Sequence, residues 1–299
     1  MLDKLKKSFI VLELASGRTA IDLAVKNISY LCGGFFTVLL PNFICDSMVE
    51  PFIKNNIKYD FYNIQIINGR LVPEIIKCNK ADCILICDYF FYSEGFHKQI
   101  KQLFKFTYTI HDITFSLFDK KLEIENSDFI VASVRKWTRS IDGGIFASSY
   151  KNQFKLRGEN KKYLIDKEQE NLRNIDADKT LMSDFELYSI SLLGSERIRK
   201  FNILPREKIL NEIKDFVPRE LLFENFDYDN CLLTFPLNVG KKKDEISNLL
   251  KMNNIRHYSF WAYHKYNEQF TLEIIDTNIC IDISEKTLYF LKKGELNIV

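Results

Sequence analysis

Short apolar runs alternate with stretches of helical spacing along the first half of the chain. Phe9–Leu14 reads as an extended segment. The next stretch places Ala20, Ile21, Leu23, Ala24 and Ile28 on one helical face, with Ser16 or Gly17 at its N-cap. Strands are predicted over Phe35–Leu40, Lys58–Tyr62, Ala81–Cys87, Phe106–Ile110 and Ser127–Ala132, with helices over Met48–Asn56 and His97–Phe104 and a turn at Asn68-Gly69. Strands separated by helices are the signature of a parallel sheet with crossovers. Ligands of such sheets gather at the carboxyl ends of the strands. Polar residues fall there repeatedly: Asp88 and Tyr89, Asp112, then Ser133 and Lys136.

Beyond Gly144 the pattern changes. Lys151–Thr180 is charged and poorly periodic, and Leu181–Ile203 reads as a long helix. Helices over Glu207–Phe216 and Asp244–Met252 follow, with strands over Cys231–Val239, Ile255–Trp261, Thr271–Ile275 and Asn278–Ile283. Pro236 marks the first of these strands as an edge. The expectation is an α/β protein: a large lobe with a mostly parallel sheet over residues 1–195, and a small α+β lobe over 196–299.

With 299 residues the chain is long enough for a large core. Its 42 basic and 40 acidic residues leave a formal charge of +2, which gives no footprint for a nucleic-acid polymer. The seven cysteines, several within apolar runs, suit reduced thiols in the cytoplasm better than a disulfide framework or a zinc site. No apolar run reaches transmembrane length, and the N-terminus lacks the pattern of a signal peptide.

The chemistry concentrates in DFIVASVRKWTRSIDGG, Asp128–Gly144. A buried strand ends at Ser133, Lys136 follows three residues later, and Gly143-Gly144 closes the segment. A lysine so placed can hold an aldehyde as a Schiff base, its deprotonation helped by burial and by a neighbouring cation such as Arg135. The helix opening at Ser16-Gly17-Arg18-Thr19 leaves backbone N–H groups free, an end that suits a phosphate.

The order of these features resembles the DegT/DnrJ/StrS family of sugar aminotransferases, enzymes of pyridoxal 5′-phosphate (PLP) fold type I. The similar stretches are ASGRTAI at Ala15–Ile21, LLPNFICDSMVEPF at Leu39–Phe52, IHDITFS at Ile110–Ser116 and VASVRKWTRSIDGG at Val131–Gly144. FPLNV near Phe235 and NNIRHYSFW at Asn253–Trp261 resemble the family's small lobe. The resemblance implies Lys136 as the amine that joins the cofactor and Asp112 as the carboxylate at its pyridine nitrogen. Gly17, Arg18, Thr19 and Ser133 would hold the phosphate. Phe43 or Cys45 would lie against the ring, and Tyr89, Arg135 and Trp261 would border the substrate. It also implies a homodimer acting on a nucleotide-linked sugar, with an amino-acid donor, for surface polysaccharide. Related dehydratases carry histidine where Lys136 stands, which favours transamination. Two departures keep a second reading open, that of a catalytically degenerate binding or scaffolding protein. Phe115 stands where the family carries Gln or His, and the sequence opens almost on the Ser-Gly motif.

Overall fold

The computed structural model describes residues 2–67, 70–74, 81–89, 108–118, 122–138, 143–156, 199–224, 231–259 and 278–298, with positions 100, 226, 228 and 229 between them. The predicted turn at Asn68-Gly69, the strand over 271–275 and Trp261 lie outside these residues, as do nearly all of the predicted helix at 97–104 and most of the long helix.

After a short helix α1 (Leu2–Ser8), the strands β1 (Ile10–Leu14), β2 (Thr37–Pro41), β3 (Lys58–Tyr62), β6 (Cys83–Cys87), β7 (Tyr108–Asp112), β8 (Phe129–Ser133) and β9 (Gly144–Ser148) form one sheet, with β4 (Ile64–Ile67) and β5 (Arg70–Pro73) as a separate antiparallel hairpin. The order across the sheet is β1-β9-β8-β7-β6-β2-β3. The pairs β3·β2, β2·β6, β6·β7 and β7·β8 are parallel. The mostly parallel sheet read from the alternating pattern is therefore present. Its β1 end is antiparallel: β9 runs against both β8 and β1.

The runs CILIC, FIVAS and GIFAS are buried at every position, as central strands covered on both faces must be. Burying one such Leu or Ile contributes roughly 2 kcal/mol. Helix α2 (Gly17–Leu31) packs on β8 and β9 through Ala20, Ile21, Leu23, Ala24 and Ile28, all buried. Buried Asp22 fixes it to helix α3 (Asp46–Lys54): its carboxylate pairs with Lys26 at 2.5 Å and accepts from Asn55 at 2.8 Å.

The C-terminal part begins with a π-helical turn (Arg199–Ile203) that runs into helix α5 (Leu204–Phe216), three residues earlier than predicted. The short helix before it in chain order, α4, spans Arg135–Thr138. Strands β10 (Phe235–Asn238), β11 (His257–Tyr258) and β12 (Asn278–Ile281) form a second, antiparallel sheet in the order β10-β12-β11. Pro236 does sit on an edge strand, where its missing N–H costs no ladder bond. Helices α6 (Lys243–Met252) and α7 (Glu285–Lys292) complete this part. Helices α1 and α7 and strand β9 were not predicted. Buried residues of both sheets and of the helices beside them, such as Leu23, Leu40, Phe235 and Ile246, belong to one continuous apolar core.

Candidate active site

Helix α2 starts against the carboxyl ends of two strands. Its N-cap is Ser16, whose Oγ accepts from the Thr19 N–H at 3.1 Å and lies 2.9 Å from the Thr19 hydroxyl. The approach is close enough to require glycine at two places. A Cβ on Gly144 would stand 2.2 Å from the Ser16 carbonyl oxygen, and one on Gly17 would meet the Ser133 Cβ at 3.2 Å. The first turn of α2 and the end of β8 thus form a single shelf.

A cleft open to solvent lies over this shelf. Ser16, Gly17 and Arg18 line it from α2, and Asp112 and Thr114 from the end of β7. Ser133, Arg135 and Lys136 come from the end of β8, and Cys45, Ser47 and Met48 from the start of α3. The carboxyl ends of neighbouring parallel strands therefore bring Asp112 and Lys136 into one cavity, although 24 positions separate them in the numbering.

Asp112 is half-buried. Burial pushes its carboxyl above the usual aspartate range, while hydrogen bonds from Thr114 and the charge of Lys136 pull it back. The Thr114 N–H donates to Asp112 Oδ1 at 2.8 Å. Behind Asp112 lies a closed polar cluster. His111 Nε2 is 2.9 Å from Asp88 Oδ2, and its Nδ1 is 3.0 Å from Ser127 Oγ. The Ser116 hydroxyl donates to the same Asp88 oxygen, and all four side chains are buried.

Lys136 sits in the single-turn helix α4, its Nζ 5.0 Å from the centre of the Phe115 ring. Burial of this amine was expected, but Lys136 is exposed. In so short a helix only one neighbour can take the inward direction, and that is Trp137. Its indole N–H donates to the Thr114 carbonyl at 2.7 Å, and the Arg206 guanidinium stacks over its ring at 5.7 Å.

Other expected positions fall elsewhere. Thr19 is buried, its N–H and hydroxyl both engaged with Ser16, and it is Gly17 and Arg18 ahead of it that line the cleft. Phe43 is fully buried and does not line the cleft, whereas Cys45 does. Tyr89 is buried too: its hydroxyl donates to the Phe43 carbonyl and the rings lie 5.2 Å apart. Sequence reasoning missed Ser16, Ile21, Ser47, Met48 and Thr114 as lining residues. Of these, Thr114 left a readable sign: a hydroxyl residue two positions after a strand-end aspartate.

The donor set suits PLP in kind. A shelf without side chains at Gly17 and a helix start offer hydrogen bonds to a phosphate, and Arg18, whose guanidinium pairs with Glu50 at 3.2 Å, stands beside them. A carboxylate and an amine share the same cleft with them.

No protein-family model and no curated protein sequence matches the chain. Solved structures do. A sugar aminotransferase from Micromonospora echinospora is 12% identical, with a TM-score of 0.68 over 96% of this chain and 87% of that one. The E. coli GDP-4-keto-6-deoxy-D-mannose-3-dehydratase with bound hydrated PLP is 13% identical, with a TM-score of 0.69 over 98% and 89%. A DegT/DnrJ/EryC1/StrS aminotransferase from Brucella abortus is 12% identical, with a TM-score of 0.64 over 99% and 88%. The chain therefore has the fold of PLP fold type I enzymes. Within that class, its likeness is to the sugar aminotransferases of the DegT/DnrJ/EryC1/StrS type and to a dehydratase of the same architecture.

Proposed function

We propose that this chain is a PLP-dependent aminotransferase. It moves an amino group from an amino acid such as glutamate or glutamine to a keto group of a nucleotide-linked sugar, for surface polysaccharide, as a cytoplasmic homodimer. The observation that carries the reading is the meeting of Lys136 and Asp112 in one cleft, with the start of α2 between the strand ends and solvent. A lysine at this place supports transamination over dehydration.

When bound, PLP supplies an electron sink that loosens the α-hydrogen of an amino acid. Asp112, as a carboxylate, stabilises a protonated pyridine nitrogen. The N–H groups of Gly17 and Arg18, with the Ser133 hydroxyl, bind the phosphate. Cys45, on the cleft wall, would lie against the cofactor. The Lys136 amine would hold the cofactor and would supply the Nζ that accepts and returns a proton. Arg135 and Lys136 give the cleft positive charge that suits anionic substrates. Among the described residues no group of His, Cys, Asp and Glu could hold a metal ion, and no helix is long and apolar enough to cross a membrane.

The test is a spectrum. Purified protein given PLP is expected to turn yellow, and the Lys136→Ala protein is expected not to. The same yellow absorbance in the Ala variant would contradict the assignment. Conversion of the bound cofactor to its amine form on adding glutamate or glutamine separates a transaminase from a degenerate binding protein.

A further inference from the structure

One residue touches all three parts of the cleft through three different groups. The N–H of Thr114 donates to Asp112 Oδ1 at 2.8 Å. Its Oγ1 accepts from the backbone N–H of Ser133 at 3.0 Å. Its carbonyl oxygen accepts from the indole N–H of Trp137 at 2.7 Å, next to Lys136. Thr114 is buried and still lines the cleft. No ladder bond joins these groups directly: Asp112 ends one strand, Ser133 ends the next, and Trp137 lies in the turn beyond.

We propose that Thr114 is the positioning residue of this site, fixing through its hydroxyl the spacing between the carboxylate of Asp112 and the strand end that carries Ser133 and Lys136. The inference rests on the PLP reading of the same cleft. The hydroxyl accepts from the Ser133 N–H, while the backbone N–H of the same residue donates to the Asp112 carboxylate, so one residue bonds both strand ends. Removing the hydroxyl leaves the buried N–H of Ser133 without this acceptor. Valine has nearly the shape of threonine and lacks the hydroxyl. Serine keeps the hydroxyl and loses only the methyl group.

The experiment compares wild type, Thr114→Val and Thr114→Ser, each prepared free of cofactor and titrated with PLP. The expected result is a fall of about tenfold in PLP affinity for the Val variant, the cost of leaving one buried N–H without its acceptor, with the Ser variant within about threefold of wild type. A second readout needs no cofactor. Hydrogen exchange at the Ser133 amide, followed by NMR, is expected to speed up about tenfold in the Val variant, which has lost the acceptor, and to stay near wild type in the Ser variant. If the Val variant does not fold, Thr114→Ala replaces it, since it removes the same hydroxyl without a β-branch. Equal affinity and equal Ser133 amide exchange in wild type and the hydroxyl-free variant would overturn the role of Thr114 while leaving the PLP reading in place. A wild-type protein that binds no PLP would instead overturn that reading, and a Ser133 amide equally protected in the hydroxyl-free variant would then remove Thr114 as well.

Discussion

Gly144 and Ser16 meet backbone to backbone: a Cβ at 144 would stand 2.2 Å from the carbonyl oxygen of Ser16 and 2.3 Å from its carbonyl carbon. The obstructing atoms are main chain, so no rotamer change relieves the clash, and strand β9 or the start of α2 must move. Gly144→Ala is expected to destabilise the protein by about 3 kcal/mol and to weaken PLP binding in step, because the moved segment is the phosphate shelf. Gly17→Ala meets only the Ser133 Cβ, at 3.2 Å, and should cost about 1 kcal/mol. Urea unfolding of the two variants measures both.

The Asp88–His111 pair lies behind the cleft with Ser116 and Ser127 closing it off from water. His111→Ala strips a buried carboxylate of its imidazole partner. The expected loss is about 3 kcal/mol in unfolding free energy, well above the ordinary cost of a substitution. A change under about 1 kcal/mol would show that the cluster is not a closed network.

Asp112 binds a proton more readily in the folded chain than in the unfolded one, chiefly because burial penalises its charge. Between the ordinary aspartate pKa and the raised folded one, the native state holds more protons, so stability falls as pH rises through that window. The cofactor-free Asp112→Asn protein should therefore melt higher than wild type at neutral pH. The difference should vanish once the pH drops below the ordinary aspartate range. The same variant should bind PLP poorly, since it no longer offers a negative charge to the ring nitrogen. Thermal melts across pH, with and without PLP, test both halves.

Trp137 joins the lysine-bearing turn to the C-terminal part. Arg206 covers its ring, Asn202 of the π-helical turn donates to its carbonyl at 3.4 Å, and its indole holds Thr114. Trp137→Phe keeps most of the apolar contact and loses the indole donor. An expected cost of about 1 kcal/mol in urea unfolding should come with weaker PLP binding, as the turn that carries Lys136 loosens.

Most of the large sheet was legible because its strands are unbroken apolar runs closed by polar residues. CILIC and FIVAS could hardly lie anywhere but the centre, and KYDFY was bounded to the residue. Strand β9 escaped because GIFAS begins inside the glycine turn of the lysine segment, so its first residue read as loop. Its antiparallel course depends on long-range pairing with β1, which no local pattern records. Helix α7 escaped although Ser284 caps it through the Thr287 N–H, because its eight residues are too few for a helical period to stand out. At the site, Asp112, Ser133 and Lys136 were legible as strand-end residues. The burial of Phe43 and Tyr89 was not, since an aromatic at a strand end reads alike whether it faces a ligand or the core. The exposure of Lys136 depends on Trp137 taking the inward position, a choice that only packing decides.

The central claim is a covalent one, and chemical trapping tests it most directly. Wild-type protein is incubated with PLP, reduced with borohydride, digested and mapped by mass spectrometry. The account predicts a stable pyridoxyl group on the Nζ of Lys136, much reduced in the Asp112→Asn protein. A label spread over surface lysines, or none at all on the peptide that carries Lys136, would contradict it.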